Sequence, residues 1–168
     1  MSVQALERLK AQFGDAIRAT HAQHGDETAI VDPAQIVEIC RFLHDEPGLG
    51  FDMLVDVTCV DTLGLDKREQ GRFEVVYHLL STQSGRRLRI KAPIDEGENG
   101  ENPEIDSVMP IWKGANWFER EAWDMFGVRF RGHPDLRRIL LYEEFIGHPL
   151  RKDYPKDRRQ PLVRRDFS

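Results

Sequence analysis

Thiols are scarce. The 168 residues include two cysteines, Cys40 and Cys59, with no C-x-x-C between them, which excludes a disulfide scaffold and a zinc ribbon. It also excludes an iron–sulfur cluster held by this chain alone, because such clusters generally take four cysteine ligands. No run approaches the ~20 uninterrupted apolar residues of a membrane-spanning helix. The opening MSVQALERLK has neither the apolar core of a secretory signal nor the Arg/Ser-rich, acid-poor character of a transit peptide, so a cytosolic chain is expected. G-x-S-x-G, P-loop and G-x-G-x-x-G motifs are missing as well. Neither a nucleophile elbow nor a nucleotide cradle is visible.

What is present fits one domain. A chain of this length can bury roughly 70% of its unfolded surface around a single core, and 40% apolar with 32% charged residues is ordinary globular composition. Charge is unevenly spread. Residues 1–128 hold 13 basic and 23 acidic side chains, whereas 129–168 hold 11 and 6, so a basic segment follows an acidic body. An acidic body repels phosphates at long range and the segment lacks regularly interleaved aromatics, which argues against nucleic acid.

Val3, Leu6 and Leu9 space a short amphipathic helix over 3–12. Two short strands follow, Ala16–Ala22 and Thr28–Val31, separated by the turn signal His24-Gly25-Asp26. A second helix is better marked: Asp32 caps, Pro33 takes the first helical position, Gln35 completes a capping box, and Ile36, Val37, Ile39, Cys40 and Leu43 supply the buried stripe. Cys40 reads as core. In 51–60, Phe51, Met53, Val55, Val57 and Cys59 alternate onto one face of a strand whose other face is partly apolar, which suggests a central position. Runs 72–81 and 86–92 are two further strands, the last with Arg87, Arg89 and Lys91 outward. Short polar connections make the three an antiparallel meander.

Residues 94–107 contain acids and no base and read as a flexible acidic loop; calcium-loop spacing is absent. From Ala115 to Phe126 a helix would bury Phe118, Ala122 and Met125, with Trp123 and Phe126 beside them and Gly127 as its stop. It is apolar over much of its girth, so Glu119, Arg120, Glu121 and Asp124 cannot all face water. Buried carboxylates require donors, because stranding one costs several kcal/mol; Glu121 and Asp124 are expected to take them from Arg120 or from arginines of the basic segment. Metal ligation would need a Glu-x-x-His pair, which this helix lacks. Gly-His-Pro occurs twice, at 132–134 and 147–149, each followed by Leu-Arg, and reads as a shaped corner delivering an arginine.

The run ANWFEREAWDMFGVRFRGHPDLRRILL (115–141) followed by GHPLRKDYP (147–155) closely resembles the signature of the C subunit of NADH-quinone oxidoreductase, a peripheral-arm subunit family of respiratory complex I. The dense match runs from Ser107 to Pro155. The resemblance implies an α+β single domain, a mixed and mainly antiparallel sheet flanked by helices, spanning 1–141. An extended basic segment, 142–168, is expected to bind a partner. It implies a structural subunit with no cofactor, docking on the quinone-site subunit and neighbouring peripheral-arm subunits, on the cytoplasmic side of the inner or cell membrane. Contact with the membrane would be only through the complex, and flavin and iron–sulfur clusters would lie on other subunits. Signature positions fall on Glu119, Arg120, Glu121, Asp124, Phe126, Gly127, His133, Arg137 and Arg138. The interface is expected to add His148, Leu150, Arg151, Lys152 and Tyr154, with the arginines and Lys152 facing a partner's acids. The end of the chain soon after Pro155 favours an unfused form. Relatives of this domain occur also in membrane-bound hydrogenases and other quinone-linked dehydrogenases, an alternative setting. A free-standing hydrolase using Glu121 or Asp124 with His133 or His148, and an RNA-binding adaptor, are the readings from other classes.

Overall fold

In the computed structural model, residues 3–65, 71–97 and 102–163 are described; parts of the acidic loop (98–101) and the last residues of the basic segment (164–168) lie outside them. Helix α1 (Val3–Phe13) leads into strand β1 (Ile17–His21), which pairs antiparallel with β2 (Thr28–Val31). Asp32 accepts a hydrogen bond from the Ala34 amide at 3.1 Å and opens a 3-10 turn ahead of helix α2 (Ile36–Asp45). Strands β3 (Met53–Asp61), β4 (Phe73–Leu80) and β5 (Arg87–Ile94) form the expected antiparallel meander.

The sheet order is β1-β2-β5-β4-β3, with β2 and β5 parallel and every other pair antiparallel. The fold is therefore the expected α+β type. β3 is a border strand of this sheet, not a central one. Its alternation also breaks: the register shifts between Leu54 and Asp56, so the buried side of β3 is Leu54, Val57, Cys59 and Asp61, while Met53 stays 46% exposed. A bulge adds one residue to one strand and moves everything before it to the other face. Regular alternation through Val55 could not foresee this.

One side of the sheet, with Phe73, Val75, Tyr77 and Leu79 from β4 and Leu88, Ile90 and Ala92 from β5, joins α1, α2 and the third helix in one core. Cys40 is fully buried in it and its thiol is pushed up by burial, as a core cysteine's would be. The outward basic row of β5 finds acids within the chain: Arg89 pairs with Asp26 at 3.0 Å and Lys91 with Glu74 at 2.6 Å.

The acidic 94–107 stretch is more structured than its composition suggests. Ile94 ends β5, and Glu104–Asp106 forms strand β6, which pairs in parallel with β7 (Arg129–Arg131). Ile105 is the reason: at 1% exposure it anchors an otherwise polar segment in the core. Helix α3 (Ala115–Phe126) lies between these two strands in sequence and packs against β3.

Candidate functional site

Helix α3 is a mandrel around which the following chain is wound. Gly127 ends it at φ +78°, ψ +15°, a left-handed conformation that glycine adopts without strain. A helix leaves its last four carbonyls without intrahelical donors. Here each has one. Gly127 N donates to Trp123 O at 2.7 Å, His148 Nδ1 to Asp124 O at 3.0 Å, Leu150 N to Met125 O at 3.1 Å and Arg151 Nε to Phe126 O at 2.5 Å. The second Gly-His-Pro corner is thus a tertiary cap for α3. Arg151 adds positive charge where the helix dipole is negative.

The first corner works on the same helix. His133 Nε2 donates to Asn116 O at 3.2 Å, and its Nδ1 accepts from the Asp135 amide at 3.0 Å. Arg120 donates to the carbonyls of Arg137 and Arg138, both at 3.1 Å, with its guanidinium 5.2 Å from the Trp117 ring centroid. Arg120 therefore serves backbone, not the neighbouring carboxylates.

Asp124 has no exposure and collects four donors: Arg138 Nη1 at 2.5 Å on one oxygen, and the amides of Ile139, Leu140 and Leu141 at 2.9–3.1 Å on the other. Burial pushes its carboxyl up, but the amides and Arg138 together outweigh burial and hold it below the ordinary range. Glu121 is exposed and needs no such donors. The second buried acid on this helix is instead Glu119, which takes Ser107 Oγ at 2.6 Å and Val108 N at 2.8 Å. The expectation for Glu121 failed because an α-helix turns about 100° per residue, and the buried positions of α3 include 115, 119 and 122 while residue 121 falls on the exposed side.

Two of the cations expected to face a partner are used internally. Arg138 also donates to the carbonyls of Phe145 and Gly147, and Arg151 reaches Glu96 at 3.3 Å and Asn102 at 3.0 Å. Arg137 is exposed and pairs locally with Asp135; the Lys152 side chain is exposed while its amide donates to Asp61 Oδ2 at 2.9 Å. Leu150 is 53% exposed, and Tyr154 stacks on Phe145 and donates to Ile146 O at 3.3 Å. Residues 142–163 contain no helix or strand, yet they are folded onto their own domain.

A second cluster was not foreseen. Asp61, buried at the end of β3, pairs with Arg72 at 3.2 Å; Arg72 also pairs with Glu96 and Asp153 at 2.9 and 2.8 Å, and both Arg72 and Arg151 lie over the Phe73 ring. It ties the segment around 151–153 to the far ends of β3 and β4. The only hint in sequence was an acid terminating an apolar strand. As a general base Asp124 is unavailable, since both of its oxygens are committed to donors.

The class follows from the fold. It is shared, at a TM-score of 0.65 and 29% identity over 79% of this chain and 97% of the other, with "Nqo5 of the trypsin-resistant fragment (1-134) in P63 form". A chain of the membrane-bound sulfane sulfur reductase, an archaeal respiratory membrane complex, is similar at TM-score 0.62 and 20% identity over 82% of this chain and 75% of that one; at that identity the fold alone is shared. Residues 29–160 match the family described as respiratory-chain NADH dehydrogenase, 30 Kd subunit. Similar proteins include a C subunit of NADH-quinone oxidoreductase, numbered C 2, of Rhizobium meliloti (strain 1021), 47% identical over 161 residues covering 94% of this chain and 84% of that protein. Another is the NADH-quinone oxidoreductase C subunit of Geotalea uraniireducens (strain Rf4), 46% identical over 151 residues, 90% of this chain and 86% of that one. The chain belongs to the 30 Kd subunit family of respiratory-chain NADH dehydrogenase.

Proposed function

We propose that the chain is a structural subunit, without catalytic groups or a cofactor of its own, in the peripheral arm of a proton-translocating NADH:quinone oxidoreductase. It sits on the cytoplasmic side of the membrane and is held there by its partners; electrons travel on flavin and iron–sulfur clusters of other subunits. One observation carries this reading beyond family membership. Arg120 and Asp124 of α3, with His148 and Arg151 of the second Gly-His-Pro corner, are spent on groups that hold the wrap to the helix, which shapes a surface and leaves Asp124 no free oxygen for chemistry.

Around that wrap, large apolar groups stay outward: Trp117 at 60%, Leu140 at 61%, Leu150 at 53% and Ile146 at 48% exposure, with the exposed cations Arg137 and Lys152 among them. Apolar anchors with a charged rim make a docking face, the anchors supplying affinity and the rim register and encounter rate. The partner we assign to it is the subunit bearing the quinone site, with segment 142–168 as the part of this chain that follows it. Purification of the native membrane complex through a tag on this chain tests the reading. Co-purification of NADH-oxidising, quinone-reducing activity with the other subunits is expected; stoichiometric flavin, iron or zinc on the isolated folded chain would overturn it. The fold likeness to the sulfane sulfur reductase chain favours a second setting, a related membrane-bound respiratory complex with another donor, which the same preparation distinguishes by the substrate it oxidises.

A further inference from the structure

Helix α3 withdraws two carboxylates from water into opposite surroundings. Asp124 has a guanidinium and three amides. Glu119, equally inaccessible at 0% exposure, has one hydroxyl and one amide. Among the described residues no cation pairs with it, and Arg120 beside it turns away to the carbonyls of 137 and 138. The titratable groups that interact with it from other elements are Cys40 of α2 and Tyr77 of β4, and Tyr77 in turn interacts with Cys59 of β3 and Asp106 of β6. Burial pushes both thiols and the phenol up, so none of them ionises near neutrality, and Asp106 is paired with Arg131 at 2.8 Å. The fully buried Tyr77 hydroxyl has no hydrogen-bond partner among the described residues. Nothing on these walls neutralises an ionised Glu119.

We propose that Glu119 is a proton-binding site built into the joint between α3 and the 107–112 turn, a carboxyl closed off from water with one hydroxyl and one amide to hold its charge and no cation beside it among the described residues. Each state is chemically defined. As a carboxylate it accepts from Ser107 Oγ and Val108 N. As an acid it still accepts from the Val108 amide, and its own O–H donates to Ser107 Oγ, whose proton must then turn elsewhere. Burial pushes the group up to about 7, with the Ser107 hydroxyl and Val108 amide pulling against it. The charge changes at the base of the helix that carries Trp117. If the docking reading above holds, the seating of that face on its partner is pH-dependent.

Linkage gives the sign. Folded Glu119 keeps its proton to about 7, whereas an unfolded glutamate releases it near the ordinary 4.5. Between those values the folded chain binds more protons, so stability falls as pH rises from about 5 to 7. Glu119→Gln imitates the acid: its carbonyl can accept from Val108 N and its amide can donate to Ser107. Unfolding of the full chain and of this variant, followed from pH 5 to 8, tests the site. The two should differ by only about fourfold near pH 5, with the variant the more stable at pH 8 by on the order of a hundredfold in the folding equilibrium constant. A variant that is less stable at pH 8, or curves that run parallel, would overturn the proposal. Should the variant fail to fold, the carboxyl carbon of Glu119 in the wild-type chain, titrated by NMR, decides: a midpoint near 7 supports the site and one near 4.5 ends it. All of this is read on the isolated chain, whereas docking is read by co-purification, so either reading can fail alone.

Discussion

Glu121 and Asp124 stand three positions apart on α3, and a pattern of charged letters treats them alike. Their environments do not. Asp124 is fully buried with Arg138 and three amides, so Asp124→Asn removes the charge that holds Arg138 and turns an amide group toward donors that need an acceptor. Breaking such a pair typically costs ~3–5 kcal/mol, and chemical denaturation of the isolated chain is expected to show a loss of that size. The pH dependence follows from its depressed pKa: the contribution is present above the ordinary carboxylate range and disappears as pH falls through and below it. The variant's deficit should therefore shrink in acid. Glu121→Gln, on an exposed surface, is expected to change stability by no more than about 0.5 kcal/mol and to leave assembly intact. A large loss from Glu121→Gln in the assembled complex alone would identify it as a partner contact.

At the scale of the element, α3 is stable because something outside it completes it. Its C-terminal carbonyls are capped by residues 148–151, more than twenty positions away, and the approach is close: a Cβ at Gly127 would lie 2.6 Å from Arg151 Nη2 and from His148 Cδ2. Gly127→Ala thus meets two penalties, the left-handed backbone at ~1–2 kcal/mol and a collision with the cap. The expected outcome is release of the 148–154 segment, measured as faster tryptic cleavage after Arg151 and Lys152 with α3 itself retained by circular dichroism. Helix boundaries were legible because Gly127 and the apolar line through Ala122 act locally. The bulge in β3 and the existence of β6 were not, since each depends on what the neighbouring strand or core offers at that position.

For the whole molecule, the structure separates cations that hold the chain together from those left exposed. Arg151 binds Phe126 O, Glu96 and Asn102 and sits over Phe73; the side chain of Lys152 is exposed beside it. Arg151→Ala should lower the melting temperature of the isolated chain, because truncating a half-buried arginine removes packing as well as charge. Lys152→Ala should leave melting nearly unchanged and weaken recovery of the complex on the tagged chain, most visibly at low salt. Equal effects of the two substitutions on melting would mean the segment is held otherwise than by Arg151. Truncation after Tyr142 removes the cap of α3 and the ties to Asp61, so its product is expected to be less stable than the full chain as well as poorer in docking.

Much of the protein was decided by sequence alone, through interactions of short range. Periodicity placed α1, α2, α3 and the meander of β3, β4 and β5, and two cysteines with no accompanying motif set limits on the chemistry the chain could carry by itself. The signature from Ser107 to Pro155 placed the chain in its family. Tertiary structure decided the rest: that β2 joins β5 in parallel, that β3 lies at the border, that Glu119 and not Glu121 is the second buried acid, and that Arg138 and Arg151 turn inward. The physical reason is common to all four. Each is a choice of partner between groups distant along the chain, and a residue's letter records what it can bond, whereas only the packed core determines which partner comes within reach and which face is closed to water.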